Sequence, residues 1–323
     1  MIISRTPVRV SFCGGGTDLP AYYETSENGG MVTSMALSKH IHVTVNRRFD
    51  NSVRVSYSKT EIVDDFERLE HELVREAMRL TGVTHSVEIT TIADIPSRGT
   101  GLGSSSALTV GLLNALHTYA GRTPDAAQLA EEACRIEIDI LGQPIGRQDQ
   151  YAAAFGGSNQ ISFMPGNSVI VTPIEVDSDA LKSNYFLVYT GITRKASNIL
   201  AKQSESTDKK RADLDLLRQQ AIDVRHALQT SEHAIVGKLL DASWQIKRNL
   251  VDGITGGALD EIYSVGMGMG SSGGKLLGAG GGGFFLFQGS EEIRRKMEKL
   301  YKVLPLTIDS SGSTIIFDDG ARL

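Results

Sequence analysis

Gly99, Gly101 and Gly103 alternate through Pro96-Ser-Arg-Gly-Thr-Gly-Leu-Gly-Ser-Ser-Ser-Ala107, and Ser104, Ser105 and Ser106 follow without a break. Glycine lets a backbone turn tightly and approach a ligand with no Cβ in the way. The serines fall where a helix would begin, and there the free N–H groups and the helix dipole favour an anion. The combination reads as a phosphate cradle. A Walker A loop needs a lysine after its last glycine, and none follows here. A dinucleotide fingerprint needs a third glycine and, about 20 residues on, a strand ending in an acid. Here Gly101-Leu-Gly103 runs into serines, and residues 124–141 are helical in pattern. A Gly/Ser hairpin or linker is the remaining alternative, and the buried-helix pattern that follows argues against a linker.

Other residues suit the same chemistry. Ala130, Cys134, Glu137 and Leu141 are spaced 4, 3 and 4, so they share one helical face. A carboxylate in an apolar stripe is costly to bury unless it is paired or bound to a cation. Hard cations take carboxylate and hydroxyl oxygens, which makes Glu137 a candidate Mg²⁺ ligand, with an edge residue reaching solvent as the alternative. Glu131 and Glu132 read as solvated charges. Gly14-Gly15-Gly16-Thr17-Asp18 is either a turn or a place where backbone approaches a polyhydroxylated ligand while Asp18 accepts from its hydroxyls. Asp149 precedes a short apolar helical turn, where a capping acid is the plain reading. Arg194 and Lys195 follow a strand end and either hold an anionic substrate group or form a solvated turn. Gly280 to Gly283 run into a hydrophobic strand, and four glycines are too costly in chain entropy to be filler. His40 and His42, two apart on a strand with no third ligand nearby, read as structural.

The elements that must position these residues follow from periodicity. Ile3–Phe12 and Val87–Ile92 alternate as strands, Gly29–Asn46 contains another, and Ala107–Leu116 reads as a buried helix. Phe66–Leu80 is an amphipathic helix. Thr123 and Pro124 supply an N-cap and a first-turn proline for a helix running to Gly142. Short strands at Ser158–Phe163 and Ser168–Thr172 close a first domain, and Tyr185–Thr190 opens a second. Two helices within Ser197–Thr230 flank a polar break. A further helix spans Glu232–Val251, and the chain finishes with a helix over Glu291–Tyr301 and a strand over Ser313–Phe317. With 323 residues, two domains are the default. A hydrophobic content of 41% and a charged content of 22% are those of an ordinary globular chain. Cys13 and Cys134 form neither a metal spacing nor a disulfide framework, which points to the cytoplasm. No signal peptide pattern and no membrane-spanning apolar run is present. A formal charge of −5 gives no footprint for nucleic acid.

Taken in order, these stretches resemble the GHMP kinases, the family of galactokinase, homoserine kinase, mevalonate kinase and phosphomevalonate kinase. The family's ATP loop has the form Pro-x-x-x-Gly-Leu-Gly/Ser-Ser-Ser-Ala, which Pro96 to Ala107 fits with one additional serine. The resemblance spans essentially the whole chain. It implies an α+β fold, with residues 1–175 an ATP-binding domain like ribosomal protein S5 domain 2, residues 176–323 ferredoxin-like, and the active site between them. It implies that ATP is held by Pro96, Gly99, Gly101, Leu102, Gly103, Ser104, Ser105, Ser106 and Ala107, and Mg²⁺ by Glu137 with Ser105. Thr6-Pro7-Val8-Arg9-Val10-Ser11 matches the family's Ala-Pro-Gly-Arg-Val-Asn, which places Arg9 near the transferred phosphate. Asp149 would accept or orient the acceptor hydroxyl proton. Gly15, Gly16, Thr17, Asp18, Gln150, Gly157, Gly280 and Gly281, with Arg194 and Lys195, would line the acceptor. The departures, Val8 for Gly and Gly15-Gly16 for Glu-His, set the acceptor apart from galactose. Within the family the motifs look most like the D-glycero-D-manno-heptose 7-phosphate kinases, which phosphorylate the anomeric C1 oxygen for nucleotide-heptose synthesis. Fucokinase-like or galactokinase-like activity, or a non-catalytic sensor, are the alternatives. A phosphate already on the acceptor must meet a cation, with Arg194-Lys195 the first candidate and Lys247-Arg248 the second. The implied partners are ATP and a sugar phosphate, with no nucleic acid and no membrane; the sequence leaves both a monomer and a homodimer open.

Overall fold

The computed structural model describes residues 1–96, 99–193, 197–320 and 322, with only the backbone at 197 and 198. Strand β1 (Ile2–Cys13) runs antiparallel along the 18-residue β2 (Gly30–Arg47). The two halves of β2 then serve different neighbours on its other edge. Residues 30–35 pair with β6 (Ser158–Met164), itself paired with β7 (Ser168–Pro173), and residues 41–47 pair with β5 (Val87–Ala93). The hairpin β3 (Val53–Ser56) and β4 (Thr60–Val63), which the alternation pattern did not reveal, extends the sheet beyond β5. These two strands are only four residues each, too short for a periodic signal to stand out.

Val8, Val10, Phe12, Val43 and Val45 are fully buried, as strands covered by helices require. Helix α3 (Ser104–Tyr119) lies across β1 and β2, with α2 (Glu72–Thr81), α4 (Ala126–Cys134) and α5 (Gln148–Phe155) around it. The 66–80 helix begins only at Glu72, after a 3₁₀ turn at Phe66–Arg68. Helix α4 begins later than the Thr123-Pro124 signal implies, because Asp125 is the cap and accepts from Gln128 N at 2.8 Å. Glu132 is not a free charge: it accepts from His117 Nε2 at 2.6 Å.

The second sheet is antiparallel, in the order β11 (Lys302–Pro305), β8 (Tyr185–Tyr189), β10 (Phe284–Gln288), β9 (Gly273–Leu276). In chain order this is fourth, first, third, second, the ferredoxin-like arrangement. Helix α9 (His233–Lys247) packs on β9 and β10, where the fully buried Trp244 meets Phe285 edge-on at 5.5 Å. A short α6 (Ser178–Asn184) and an α10 (Gly257–Gly268), neither of them marked in the sequence pattern, and the expected terminal helix, α11 (Glu291–Glu298), complete this half.

Two elements of the second half return to the first sheet. Strand β12 (Thr314–Asp318) pairs with β1, and α8 (Arg211–Gln229), which follows α7 (Ser197–Glu205), packs over β1, β2 and β6. Thr33 Oγ1 donates to Ala221 O at 2.6 Å across that contact. A cut at residue 176 would therefore strip the first sheet of an edge strand and a covering helix. Among the described residues no helix is long and apolar enough to cross a membrane.

Candidate active site

Gly101, Gly103 and Gly99 all take positive φ, near 70°, where a side chain is strained. The reason is contact as well as turning. A Cβ on Gly101 would lie 2.5 Å from Leu277 O, and one on Gly283 2.2 Å from Thr100 O. The cradle and the 277–283 loop thus pack backbone to backbone, and their glycines are fixed by that approach. Gly103 is the N-cap of α3, so Ser104, Ser105 and Ser106 form its first turn, with unpaired N–H groups directed out of the helix end. Leu102 and Ala107 are fully buried anchors, and Leu102 O accepts from Arg9 N at 2.9 Å. Pro96 is exposed at the loop's start.

Arg9, on β1, reaches the first turn of α5. Its Nε and Nη2 donate to Asp149 Oδ1 and Oδ2, each at 2.7 Å, and its Nη1 donates to Gly101 O at 2.6 Å. This bidentate fork fixes the carboxylate plane and ties it to the cradle. Asp149 is therefore no helix cap. Asp18 lies close by: its carboxylate accepts from Gly16 N at 2.9 Å and Gln148 Nε2 at 3.0 Å. Burial, then the charge of Asp149, pushes the Asp18 carboxyl up from its ordinary range.

Glu137 is fully buried at the start of a π-helical turn, Arg135–Ile140, that continues α4. The wider turn shifts the phase of the stripe: Ala130, Cys134 and Glu137 are buried and Leu141 only partly so. Ser105 Oγ donates to Glu137 Oε1 and Gln150 Nε2 to Oε2, both at 2.7 Å. With neutral donors only, burial pushes the Glu137 carboxyl up to about 7. A buried carboxylate beside a hydroxyl, with no cation bonded to it among the described residues, is an oxygen donor set suited to a hard divalent ion. Among the described residues no group of three or more acidic, His or Cys side chains forms a protein-only metal cage. A site completed by a ligand's own phosphates needs none.

Several residues expected at the acceptor are engaged within the protein. Thr17 is fully buried, its hydroxyl donating to Gly14 O at 2.8 Å and accepting from Met31 N at 2.9 Å, so it knits the loop to β2 and faces no ligand. Gly157 is held by main-chain bonds to Ala36 and Asp309, which fixes the start of β6. Gln150 is fully buried and gives a hydrogen bond from Nε2 to Glu137 Oε2, which places it on the Glu137 side. Gly15 and Gly16 do lie against Gln148 and Gln203, and Gly280 and Gly281 against Ile254, at the rim between the halves. Arg194 and Lys195 lie outside the described residues. Lys247 is buried and donates to Leu276 O and Gly278 O, and Arg248 is paired with Asp260.

Two lysines hold the loops: the sequence gives Lys275 no role and Lys247 a different one. Lys275 Nζ donates to Ser11 O at 3.1 Å and Phe12 O at 2.9 Å, joining β9 to the end of β1. Burial lowers its ammonium to about 8, and burial together with Lys275 and Arg9 holds Lys247 well below the lysine range. A lysine inside an apolar strand was the available signal for Lys275. A cavity of about 850 Å³ also opens beside Ser104 and Ser105, walled by Tyr57, Leu73, Ile95 and Leu108. Its walls come from segments far apart in sequence, so no motif announces them.

The profile of the GHMP kinases N terminal domain matches residues 67–157, and that of the GHMP kinases C terminal domain residues 224–304. The chain is 31% identical over 306 residues to the D-glycero-alpha-D-manno-heptose 7-phosphate kinase of Campylobacter jejuni, covering 88% of each. It is 27% identical to the L-fucokinase/L-fucose-1-P guanylyltransferase of Bacteroides fragilis over 88% of this chain but 34% of that protein. A D-glycero-D-manno-heptose 1-phosphate kinase from Bacteriodes thetaiotaomicron has the same fold, with a TM-score of 0.81, 24% identity and coverage of 98% and 99%.

Proposed function

The chain belongs to the GHMP kinase family and is a sugar kinase, and we propose that it transfers the γ-phosphoryl group of ATP to the C1 hydroxyl of D-glycero-D-manno-heptose 7-phosphate. The observation that carries this reading is the likeness to a heptose 7-phosphate kinase over 88% of both chains, held together with the Arg9–Asp149 fork at the cradle. Phosphoryl transfer relies on positioning and on neutralising charge. The cradle glycines and the first turn of α3 would hold the ATP phosphates, and the Tyr57–Leu108 cavity the rest of the nucleotide. Ser105 and Glu137 would hold a Mg²⁺ ion, which supplies charge neutralisation on the triphosphate when bound.

Asp149 has lone pairs beyond the two that Arg9 engages. It would accept the attacking hydroxyl's proton in a hydrogen bond and aim its oxygen at phosphorus. Arg9, held rigidly by Asp149 and Gly101 O, would offset charge developing on the transferred group. Asp18 and the backbone of Gly15 and Gly16 would meet sugar hydroxyls at the rim. The likeness to a fucokinase supports fucose as the second acceptor to test. Initial rates at fixed ATP with heptose 7-phosphate, heptose, mannose, fucose and galactose decide between them. The highest kcat/KM is expected for heptose 7-phosphate, and a preference for fucose or galactose would overturn the acceptor while leaving the kinase class intact.

A further inference from the structure

A second depression, about 520 Å³ in volume, is lined by Lys202, Arg248, Asn249, Leu250, Val251 and Asp252. Both of its walls continue into the acceptor end of the site. On one side Gln203, next to Lys202, packs on Gly16 so closely that a Cβ there would lie 2.2 Å from its Nε2. On the other, Ile254 O accepts from Gly281 N at 2.8 Å, and its side chain crowds Gly280. Lys247, the residue before Arg248, lies in the electrostatic field of Arg9, Asp18 and Asp149.

The lining has the chemistry of an anion site. Lys202 is exposed and makes no ion pair or side-chain hydrogen bond among the described residues. Arg248 gives Nη2 to Asp260 and keeps its other N–H groups without an acceptor among the described residues. The backbone N–H groups of Val251, Asp252 and Gly253 likewise have no acceptor there, and Gly253 turns the chain at φ +92°. Successive unpaired N–H groups make a concavity for an anion. Asn249 donates one amide N–H to Gln245 O. Among the described residues Asp252 is the single acid of the lining, against two cations.

We infer that this groove receives the phosphate already carried by the acceptor, remote from the hydroxyl that reacts, and that Lys202 sets the preference for a phosphorylated over an unphosphorylated sugar. The inference rests on the sugar-phosphate reading given above. It moves the anion contact from Lys247, whose ammonium is committed to backbone carbonyls, to Lys202 and Arg248.

Steady-state kinetics at saturating ATP test it with wild type, Lys202→Gln and Asp252→Asn. The sugars are heptose 7-phosphate and heptose, the latter read as substrate or as competitive inhibitor. Lys202→Gln should raise KM for heptose 7-phosphate roughly 10-fold, the loss of one charge-assisted phosphate contact, and leave kcat, the ATP KM and the constant for heptose unchanged. Asp252→Asn should lower KM for the phosphorylated sugar by about threefold, a change of opposite sign that a merely structural role would not give. Equal effects on both sugars, or none, would overturn the groove and leave the acceptor reading standing. A wild type that does not use heptose 7-phosphate at all would overturn that reading, and the groove assignment with it.

Discussion

Two carboxylates flank the helix that starts at the cradle, and the protein treats them in opposite ways. Asp149 is gripped by the Arg9 guanidinium on both oxygens, with its side chain 23% exposed. Glu137 is fully buried among a serine and two amide or hydroxyl donors, none of them charged. A carboxylate with a resident cation has its charge balanced before any ligand arrives and can face the acceptor. One with neutral donors alone is stable as an anion only when something positive joins it. On the proposed reading that contrast would divide the work, with Asp149 serving the acceptor and Glu137 the metal.

The sharpest way to break that division is Asp149→Asn. kcat should fall by about 10²- to 10⁴-fold, the range of a positioned acid–base group, with nucleotide affinity nearly unchanged. Thermal melts of the same variant check that Arg9, only 4% exposed, has not cost the fold its stability when its partner loses charge. Near-normal turnover would reduce Asp149 to a structural counter-ion. Next comes Glu137→Gln, which should raise the Mg²⁺ concentration for half-maximal rate by about 10- to 100-fold, whereas Glu131→Gln, exposed on the same helix, should leave it alone. Identical magnesium titrations would take Glu137 out of the site.

A third test reads stability instead of rate. Folding raises the Glu137 carboxyl from 4.5 to about 7. The folded protein therefore binds that proton more tightly, and the stabilisation is fully present below about pH 4.5 and lost as pH rises through about 7. At about 1.4 kcal/mol per unit this is on the order of 3 kcal/mol. With metal chelated, wild type should lose Tm relative to Glu137→Gln between about pH 5 and pH 8. A constant gap would show that the carboxylate is not desolvated as described. The smallest effect belongs to Gly157→Ala. Its φ of +67° strains a Cβ by about 1–2 kcal/mol, but nothing lies within 4 Å, so Tm should drop slightly and kcat/KM stay put. A large rise in sugar KM would return Gly157 to the acceptor site.

Much of this was legible because glycine and serine runs announce themselves locally. The cradle, the 280–283 loop and an acid out of place in an apolar stripe need no knowledge of the fold, and the structure puts them next to one another. What stayed hidden depends on contacts between distant segments. The Arg9–Asp149 fork joins residues 140 apart, and nothing in either segment alone shows which cation meets which acid. Thr17 reads as a ligand hydroxyl in sequence and proves to be a fully buried loop clasp. Lys247 reads as a free cation on a helix and proves to be a buried donor to the glycine loop. In each case burial decided the role, and burial is a property of packing that a single segment does not carry.

The central claim is transfer to C1 of a sugar that keeps its own phosphate. Phosphorus NMR of the product formed from ATP and heptose 7-phosphate tests it most directly. The expected spectrum has two sugar phosphate resonances, the original one and a new one coupled to the anomeric proton. A product phosphorylated on any other carbon, or no new sugar phosphate while ATP is consumed, would contradict it.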